Sequence, residues 1–148
     1  MSGVKLTDIV EKMNLKNLTP EVDITEREVL VPDVNRPALQ LAGFFDHFDL
    51  NRVQIIGNVE CAYLETLEEE KRVEIYQKLL EHKVPCIIFS NELQPDESFI
   101  EIAQKNDIPV FGTCKKTSSF MGELIRWLNV KLAPCISIHG VLVDVYGV

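Results

Sequence analysis

The chain has 148 residues, 46% of them hydrophobic, with 23 acidic against 15 basic side chains and a formal net charge of −8. This size predicts one domain with a buried core. The acidic balance argues against a nucleic-acid platform and against docking on anionic membranes, since both need a basic face. No signal peptide and no apolar run near the ~20 residues that span a bilayer are visible, so a cytoplasmic protein is expected.

The first 50 residues contain short elements. Apolar residues at helical spacing predict a helix from Lys5 to Met13. A turn, a short strand, and a segment that is either a strand or a tight turn are predicted next, at residues 14–20, 28–31 and 39–43. An aromatic cluster of Phe44, Phe45 and Phe48 follows, and we expect it to plug the core.

From Arg52 the pattern becomes regular. Strands are predicted at 53–57, 85–90 and 108–112, and helices at about 66–83, from 95–96 onward, and at 118–131. Thr66 and Glu69 fit a capping box at the start of the first of these helices. Alternation of strand and helix with short connections predicts right-handed crossovers. We therefore expect an α/β domain of three layers, with a mainly parallel sheet flanked by helices.

The domain boundary is predicted at the Ala133–Pro134 step, because proline disfavours helix in the residue before it. Residues 1–133 would form the α/β domain. Residues 134–148 would be a short β segment, since residues 136–145 are rich in β-branched side chains.

Motifs for nucleotide chemistry are absent from the 148 residues. Neither G-x-x-x-x-G-K-[ST] nor G-x-G-x-x-G occurs, so the chain has no recognisable NTP site. The four cysteines, Cys61, Cys86, Cys114 and Cys135, have no close paired spacing, which argues against a local zinc site. Small buried residues are the favoured interpretation, with a reactive thiol or a metal cluster assembled in space as the alternative.

The three histidines differ in their surroundings. His82 is expected to be solvated or to cap a helix carboxyl end, and His47 to lie in a surface loop. His139 lies in an apolar run beside Gly140, where a titratable ring is either a hydrogen-bonded core residue or part of an active site. The residues alone favour the core interpretation.

Three segments of the chain are similar, in matching order, to the motifs of one known family. The stretch R-P-A-L-Q-L-A-G-F at residues 36–44 is similar to R-P-G-L-E-L-A-G-F, with Ala38 in place of glycine and Gln40 in place of glutamate. R-V-Q-I-I-G at residues 52–57, followed by Glu60, is similar to R-I-Q-I-I-G-x-x-E. Residues 138–148 resemble the entry to a kinase domain, which leads into a phosphate-binding loop. In these three segments the chain resembles the HPr kinase/phosphorylase family.

The resemblance implies the amino-terminal regulatory or structural domain of a bifunctional bacterial enzyme of carbon catabolite repression. The full enzyme transfers phosphate from ATP or pyrophosphate to a serine of the phosphocarrier HPr, reverses this by phosphorolysis, uses Mg²⁺ and forms a hexamer. The domain is expected to be similar to the amino-terminal domain of a nucleotide-sugar ligase.

His139 alone matches a family position linked to the active site, where it could polarise or shuttle protons near the transferred group. Residues 134–148 would then begin a kinase domain that stops before the phosphate loop. This chain alone, with no cofactor of its own, is therefore predicted to be inactive.

Two other classes of function stay open. The first is a free-standing regulatory domain that binds a small ligand at the carboxyl ends of its parallel strands. The second is an oligomerisation module. The β-rich end favours the kinase hypothesis, because a lone terminal strand would leave unpaired edges in a free-standing domain. It is expected to be poorly ordered or paired with another chain.

Overall fold

The computed structural model describes residues 3–133. The predicted β segment, which contains Cys135 and His139, lies outside the described residues. The predicted domain boundary at Ala133–Pro134 also falls at the limit of the described residues, so the boundary stays a prediction.

Residues 3–133 form seven strands and six helices. The strands are β1 (Val4–Lys5), β2 (Lys16–Asn17), β3 (Glu28–Val29), β4 (Val34–Asn35), β5 (Val53–Ile56), β6 (Ile87–Phe89) and β7 (Val110–Gly112). The helices are α1 (Leu6–Met13), α2 (Ala38–Leu41), α3 (Asn58–Glu65), α4 (Glu69–Leu80), α5 (Glu97–Lys105) and α6 (Thr117–Leu132).

The main sheet has five strands in the order β2-β7-β6-β5-β4. Strands β4 to β7 are parallel, with Ile55 opposite Ile88 and Ile88 opposite Phe111, and β2 is an antiparallel edge strand. A separate antiparallel ribbon joins β1 to β3, with Val4 opposite Val29. The mainly parallel sheet is as predicted.

Both faces of the sheet are covered, because successive strand residues point to opposite sides. Ile55, Ile88 and Phe111 belong to one core cluster, which α1 and α6 complete. Their neighbours Ile56 and Ile87 belong to a second cluster, completed by side chains of α2, α3, α4 and α5. Two cores on one sheet give the three-layer α/β architecture that the sequence predicts.

Helix α6 shows how the sequence directs this packing. Phe120, Leu124 and Leu128 recur every four residues and are all 0% exposed. Each such side chain stabilises the fold by about 1.5–3 kcal/mol. The helix ends at Leu132, and Ala133 is extended with ψ 139°, as expected before a proline.

The structure corrects several local predictions. Residues 39–43 form no strand: α2 and a turn occupy this segment, and Gly43 has φ 101°. The sequence does not predict helix α3, because only Gly57 separates it from β5. It does not predict β2 either, because this strand has two residues and both are exposed. The capping box at Thr66 is wrong. Helix α4 begins at Glu69 after Glu68, and the Thr66 hydroxyl instead donates to the Tyr63 carbonyl at 2.6 Å.

The aromatic and cysteine predictions hold in part. Phe45 and Phe48 pack against the second core, but Phe44 is 47% exposed. Cys86 is fully buried, as expected for a small core residue, whereas Cys114 is exposed. Cys114 lies two residues beyond the end of β7, where the chain leaves the sheet.

Candidate functional site at the carboxyl edge of the sheet

Four parallel strands end at one edge of the sheet, and the residues that follow them meet there. Arg36 follows β4, Gly57 follows β5, Ser90 follows β6 and Thr113 follows β7. In open α/β sheets this edge is where ligands bind. It is therefore the candidate site.

An ion pair connects the first two of these strand ends. Arg36 donates from Nε to Glu60 Oε2 at 3.0 Å and from Nη2 to Oε1 at 2.6 Å. The Glu60 carboxylate is only 2% exposed, and it also accepts from the Gly57 backbone N–H at 2.9 Å. Because Gly57 has no side chain to cap α3, Glu60 supplies the reciprocal half of a capping box.

Gly57 is required by close approach rather than by backbone conformation. Its φ of −121° is accessible to any residue. A Cβ there would lie 2.7 Å from Thr117 Oγ1 and 2.9 Å from Arg36 Nη2. The glycine therefore lets β5 and the first turn of α6 come together at this edge.

Hydroxyl groups join the next strand end to α6. The Ser90 hydroxyl is fully buried and donates its one proton to the Ile56 carbonyl at 3.3 Å. Ser90 Oγ therefore accepts from the Thr117 hydroxyl, which lies 2.5 Å away. Asn91 Nδ2 donates to Thr117 Oγ1 at 3.0 Å. Asn91 and Glu92 have φ of 57° and 59°, a left-handed conformation that L-residues adopt at some cost.

These contacts border an open cleft of about 450 Å³. Its polar lining offers two cations, two amides and two hydroxyls, from Arg36, Lys116, Asn58, Asn91, Thr117 and Ser118. Such donors suit a polar small ligand, whereas none of these side chains is a general base of ordinary strength at neutral pH.

A second polar cluster lies beneath the same edge. Asn35 Nδ2 donates to Gln54 Oε1 at 2.7 Å and to Gln40 Oε1 at 3.2 Å. Gln54 and Gln40 are both buried, and their amide groups donate in turn to the carbonyls of Arg52 and Phe44. A buried amide network of this kind is satisfied internally and fixes the α2 connection between β4 and β5.

A smaller cavity of about 180 Å³ lies between α3, α4 and the start of α5. The Tyr76 hydroxyl donates to Asp96 Oδ2 at 2.5 Å, and Arg72 Nε lies 3.3 Å from the same oxygen without hydrogen-bond geometry. Asp96 precedes α5 but does not cap it. Burial, followed by the bond to Asp96, raises the pKa of Tyr76 well above its usual range.

Cys61 lines the same cavity. Burial raises the pKa of its thiol to about 11, and the negative charges of Glu60, Glu65 and Asp96 act in the same direction. A thiol held protonated is a poor nucleophile. The structure therefore gives no support to a reactive role for Cys61 at neutral pH.

The histidines fall where the sequence suggests, as far as the structure describes them. His82 Nδ1 bonds to the Lys78 carbonyl at 2.8 Å near the end of α4, and its ring stacks on Phe45 with centroids 4.5 Å apart. His47 is exposed. His139, the one predicted catalytic residue, lies outside the described residues and stays a prediction.

Within residues 3–133 the structure offers neither a metal-binding cluster nor a membrane-spanning helix. No group of three or more His, Cys, Asp or Glu side chains is placed to hold a metal ion within this part of the chain. None of the helices described in it has the length and apolar character needed to cross a membrane.

The fold and the edge contacts define an α/β domain whose buried polar corner is made from two sequence motifs. Residues 4–128 match the family model described as HPr Serine kinase N terminus, so the chain belongs to that family.

Curated relatives carry the same family's name. The chain is 58% identical over 147 residues to an HPr kinase/phosphorylase of Lachnoclostridium phytofermentans, covering 99% of this chain and 48% of the relative. It is 42% identical to that of Caldicellulosiruptor bescii, over 94% of this chain and 45% of the relative. The chain spans about half the length of the curated relatives it matches.

A solved structure shares the fold. The CBS and DRTGG domains of the regulatory region of Clostridium perfringens pyrophosphatase, complexed with its activator diadenosine tetraphosphate, match with a TM-score of 0.59. Identity is 22%, and the match covers 84% of this chain and 47% of that one. At this identity the likeness concerns the fold alone.

The structure explains why the family's motifs are recognisable in this chain. Arg36 and Gln40 come from the first motif, and Gln54, Gly57 and Glu60 from the second. Arg36 and Gly57 both bond to Glu60, and Gln40 and Gln54 are joined through Asn35, which precedes the first motif. Sequence reasoning found the motifs but missed the pairing, because residues 24 positions apart give no local signal of contact.

Proposed function

We propose that this chain is the amino-terminal regulatory and structural domain of a bifunctional HPr serine kinase/phosphorylase. The full enzyme would transfer phosphate from ATP or pyrophosphate to a serine of HPr and remove it by phosphorolysis, with Mg²⁺, in the bacterial cytoplasm. It would act in carbon catabolite repression as a hexamer. Residues 134–148 would begin its kinase domain, and the 148 residues alone would transfer no phosphate.

One observation carries the proposal: 99% of this chain aligns with 48% of a relative named HPr kinase/phosphorylase, at 58% identity. The motif residues at the carboxyl edge are engaged with one another as a buried corner. That arrangement favours a structural role for them. The cleft beside them lacks a side chain suited to proton transfer at neutral pH, which favours chemistry located in the other half of the enzyme.

A chimera tests this proposal. Residues 1–148 are joined to the part of the Lachnoclostridium phytofermentans relative that lies beyond its matched segment. With ATP and Mg²⁺ the chimera should phosphorylate HPr, and with inorganic phosphate it should reverse the reaction, both read by phosphate-affinity gels. The 148-residue chain alone should do neither. Magnesium-dependent phosphorylation of HPr by the chain alone would overturn its predicted inactivity, and an inactive but folded chimera would count against the proposal.

The role of His139 is tested in the same chimera. His139→Ala should lower the rate of phosphate transfer by about 10²-fold or more if the ring acts as acid or base. His47→Asn is the matched control, since His47 is exposed and has φ 64°, which asparagine tolerates. Equal rates for the His139→Ala variant and the unchanged chimera would remove His139 from the proposed site.

A regulatory domain that binds a small ligand is the second candidate function. The cleft of about 450 Å³ at the carboxyl edge favours it. Isothermal titration of the chain with ATP, diadenosine tetraphosphate and inorganic phosphate tests it. Lys116→Ala should weaken any binding at this cleft, while Lys105→Ala, at the end of α5, should not. Absence of heat with all three probes would count against phosphorylated ligands here.

A further inference from the structure

A groove of about 670 Å³ lies between α1, the β1–β3 ribbon and the end of α6. Its lining includes Val4, Glu28, Trp127 and Lys131. We call this surface the terminal groove. It is on the face of the sheet opposite α4 and α5, away from the carboxyl-edge cleft.

The terminal groove has an aromatic centre. Trp127, the single tryptophan of the chain, is partly buried and packs against the core that α1 and α6 share. Lys131 Nζ lies 5.7 Å from the centroid of its ring, close enough for a cation–π contact. A partly open tryptophan with a cation beside it is a common anchor of protein interfaces.

Exposed apolar side chains flank the groove. Val130 is 70% exposed and follows Trp127 by three positions, which places the two on neighbouring parts of the helix surface. Leu30 is 55% exposed, and its Cδ2 lies 2.8 Å from where a Cβ on Gly3, which lines the groove, would be.

The charges around the groove are balanced. Lys5, Lys12 and Lys131 face Asp8, Glu11 and Glu28 in the lining. This contrasts with the net charge of −8 for the whole chain. A surface that mixes positive and negative charges gives little long-range electrostatic steering. A partner that is part of the same polypeptide needs no such steering, because the chain itself keeps it nearby.

The position of the groove favours one occupant. Helix α6 ends at Leu132, one residue beyond the groove-lining Lys131, and the backbone at Ala133 is extended. The matched relatives are about twice as long as this chain. Whatever follows α6 in such a protein therefore starts beside the groove, at a high effective concentration.

We propose that the terminal groove is the docking surface for the carboxy-terminal half of the same polypeptide, with Trp127 as its buried anchor. This inference rests on the proposed function, because it requires that half to exist. Docking removes Val130 and the open face of Trp127 from water. The domain would then be coupled to the kinase half through the last turn and a half of α6.

Matched substitutions test the docking. Val130→Asp and Val59→Asp each place a carboxylate at a helical valine of nearly equal exposure, 70% and 68%, but Val59 is on α3, remote from the groove. Each variant is made in the 148-residue chain and in the chimera described above, and its melting temperature is compared with that of the unchanged parent. Val130→Asp should lower the melting temperature of this domain by several degrees more in the chimera than in the chain. Val59→Asp should have the same effect in both.

Hydrogen exchange gives a second readout. Amides of α6 from Trp127 to Leu132 and of β1 should exchange at least about fivefold more slowly in the chimera than in the chain, and Val130→Asp should abolish this protection. Equal protection in both proteins, or a Val59→Asp effect specific to the chimera, would overturn the proposal. So would a concentration-dependent dimer of the chain with a protected groove, since a second copy would then be the occupant.

Failure of docking and failure of the proposed function are distinguishable. A chimera that phosphorylates HPr without groove protection would refute the docking surface alone. A folded chimera that fails to phosphorylate HPr would refute the function whatever the groove does.

Discussion

Two polar corners of this domain deal with buried charge in different ways. In the Arg36–Glu60 corner, the carboxylate is 2% exposed and accepts three hydrogen bonds at 2.6–3.0 Å. In the Tyr76–Asp96 corner, the carboxylate is 46% exposed and Arg72 Nε, although buried, makes no hydrogen bond. The first corner joins two strands and a helix, whereas the second joins α4 to the loop before α5.

The two corners should differ in how much stability the domain loses when one partner of the corner is removed. A buried charge costs several kcal/mol unless it is paired and fully hydrogen-bonded, so the Arg36–Glu60 corner should fail severely when one partner is removed. A half-exposed carboxylate is rehydrated by water, so the Tyr76–Asp96 corner should tolerate the same treatment.

Arg36→Ala should produce the largest effect. It leaves Glu60 as a buried, unpaired carboxylate, and we expect a loss of about 3 kcal/mol in the free energy of unfolding, measured by urea denaturation. Adding Glu60→Gln removes the charge, so the double variant should be more stable than Arg36→Ala alone.

Arg52→Ala is the matched control for this prediction. Arg52 pairs with Asp49 at 3.4 Å, but both side chains are about 40% exposed. Its loss should cost at most about 1 kcal/mol. Equal costs for the two arginine variants would show that burial does not separate the two kinds of pair.

Gly57→Ala should come next, because it tests whether the same corner is closely packed. The added Cβ would clash with Thr117 Oγ1 and Arg36 Nη2, and the expected cost is about 1–3 kcal/mol in urea denaturation. Gly122→Ala, in the middle of α6, meets nothing closer than 4.0 Å and should stabilise the domain by about 0.5–1 kcal/mol. A neutral Gly57→Ala would mean that the corner can relax.

The comparison also shows what the sequence could predict. Strands β5, β6 and β7 and helices α1, α4, α5 and α6 were predictable because apolar periodicity records burial. Strand β4 and helix α2 have too few residues to show a period. Contacts such as Arg36–Glu60 depend on the crossover that brings β4 beside β5, so they follow from the tertiary structure and not from local pattern.

Tyr76→Phe tests how much the Tyr76–Asp96 corner contributes to stability. It removes the hydroxyl that donates to half-exposed Asp96, and we expect a loss of about 1 kcal/mol in the free energy of unfolding. Tyr63→Phe, at an exposed tyrosine of α3, is the control and should change stability by less than about 0.5 kcal/mol. A Tyr76→Phe loss as large as that of Arg36→Ala would remove the distinction between the corners.

The smallest expected effect is a pH dependence beside the Tyr76–Asp96 corner. Burial, with the nearby carboxylates, raises the pKa of Cys61 to about 11 in the folded protein, above the ~8.5 of an unfolded thiol. The folded state therefore keeps a proton that the unfolded chain loses. This contribution to stability is complete below about pH 8.5 and is lost as pH rises toward 11.

Urea denaturation at pH 8, 9 and 10 tests this prediction. The free energy of unfolding should decline less steeply with pH for Cys61→Ala than for the unchanged chain or for Cys114→Ala, whose side chain is exposed. An unchanged slope in Cys61→Ala would mean that water reaches the thiol, and the cavity beside Tyr76 would then be as wet as the surface.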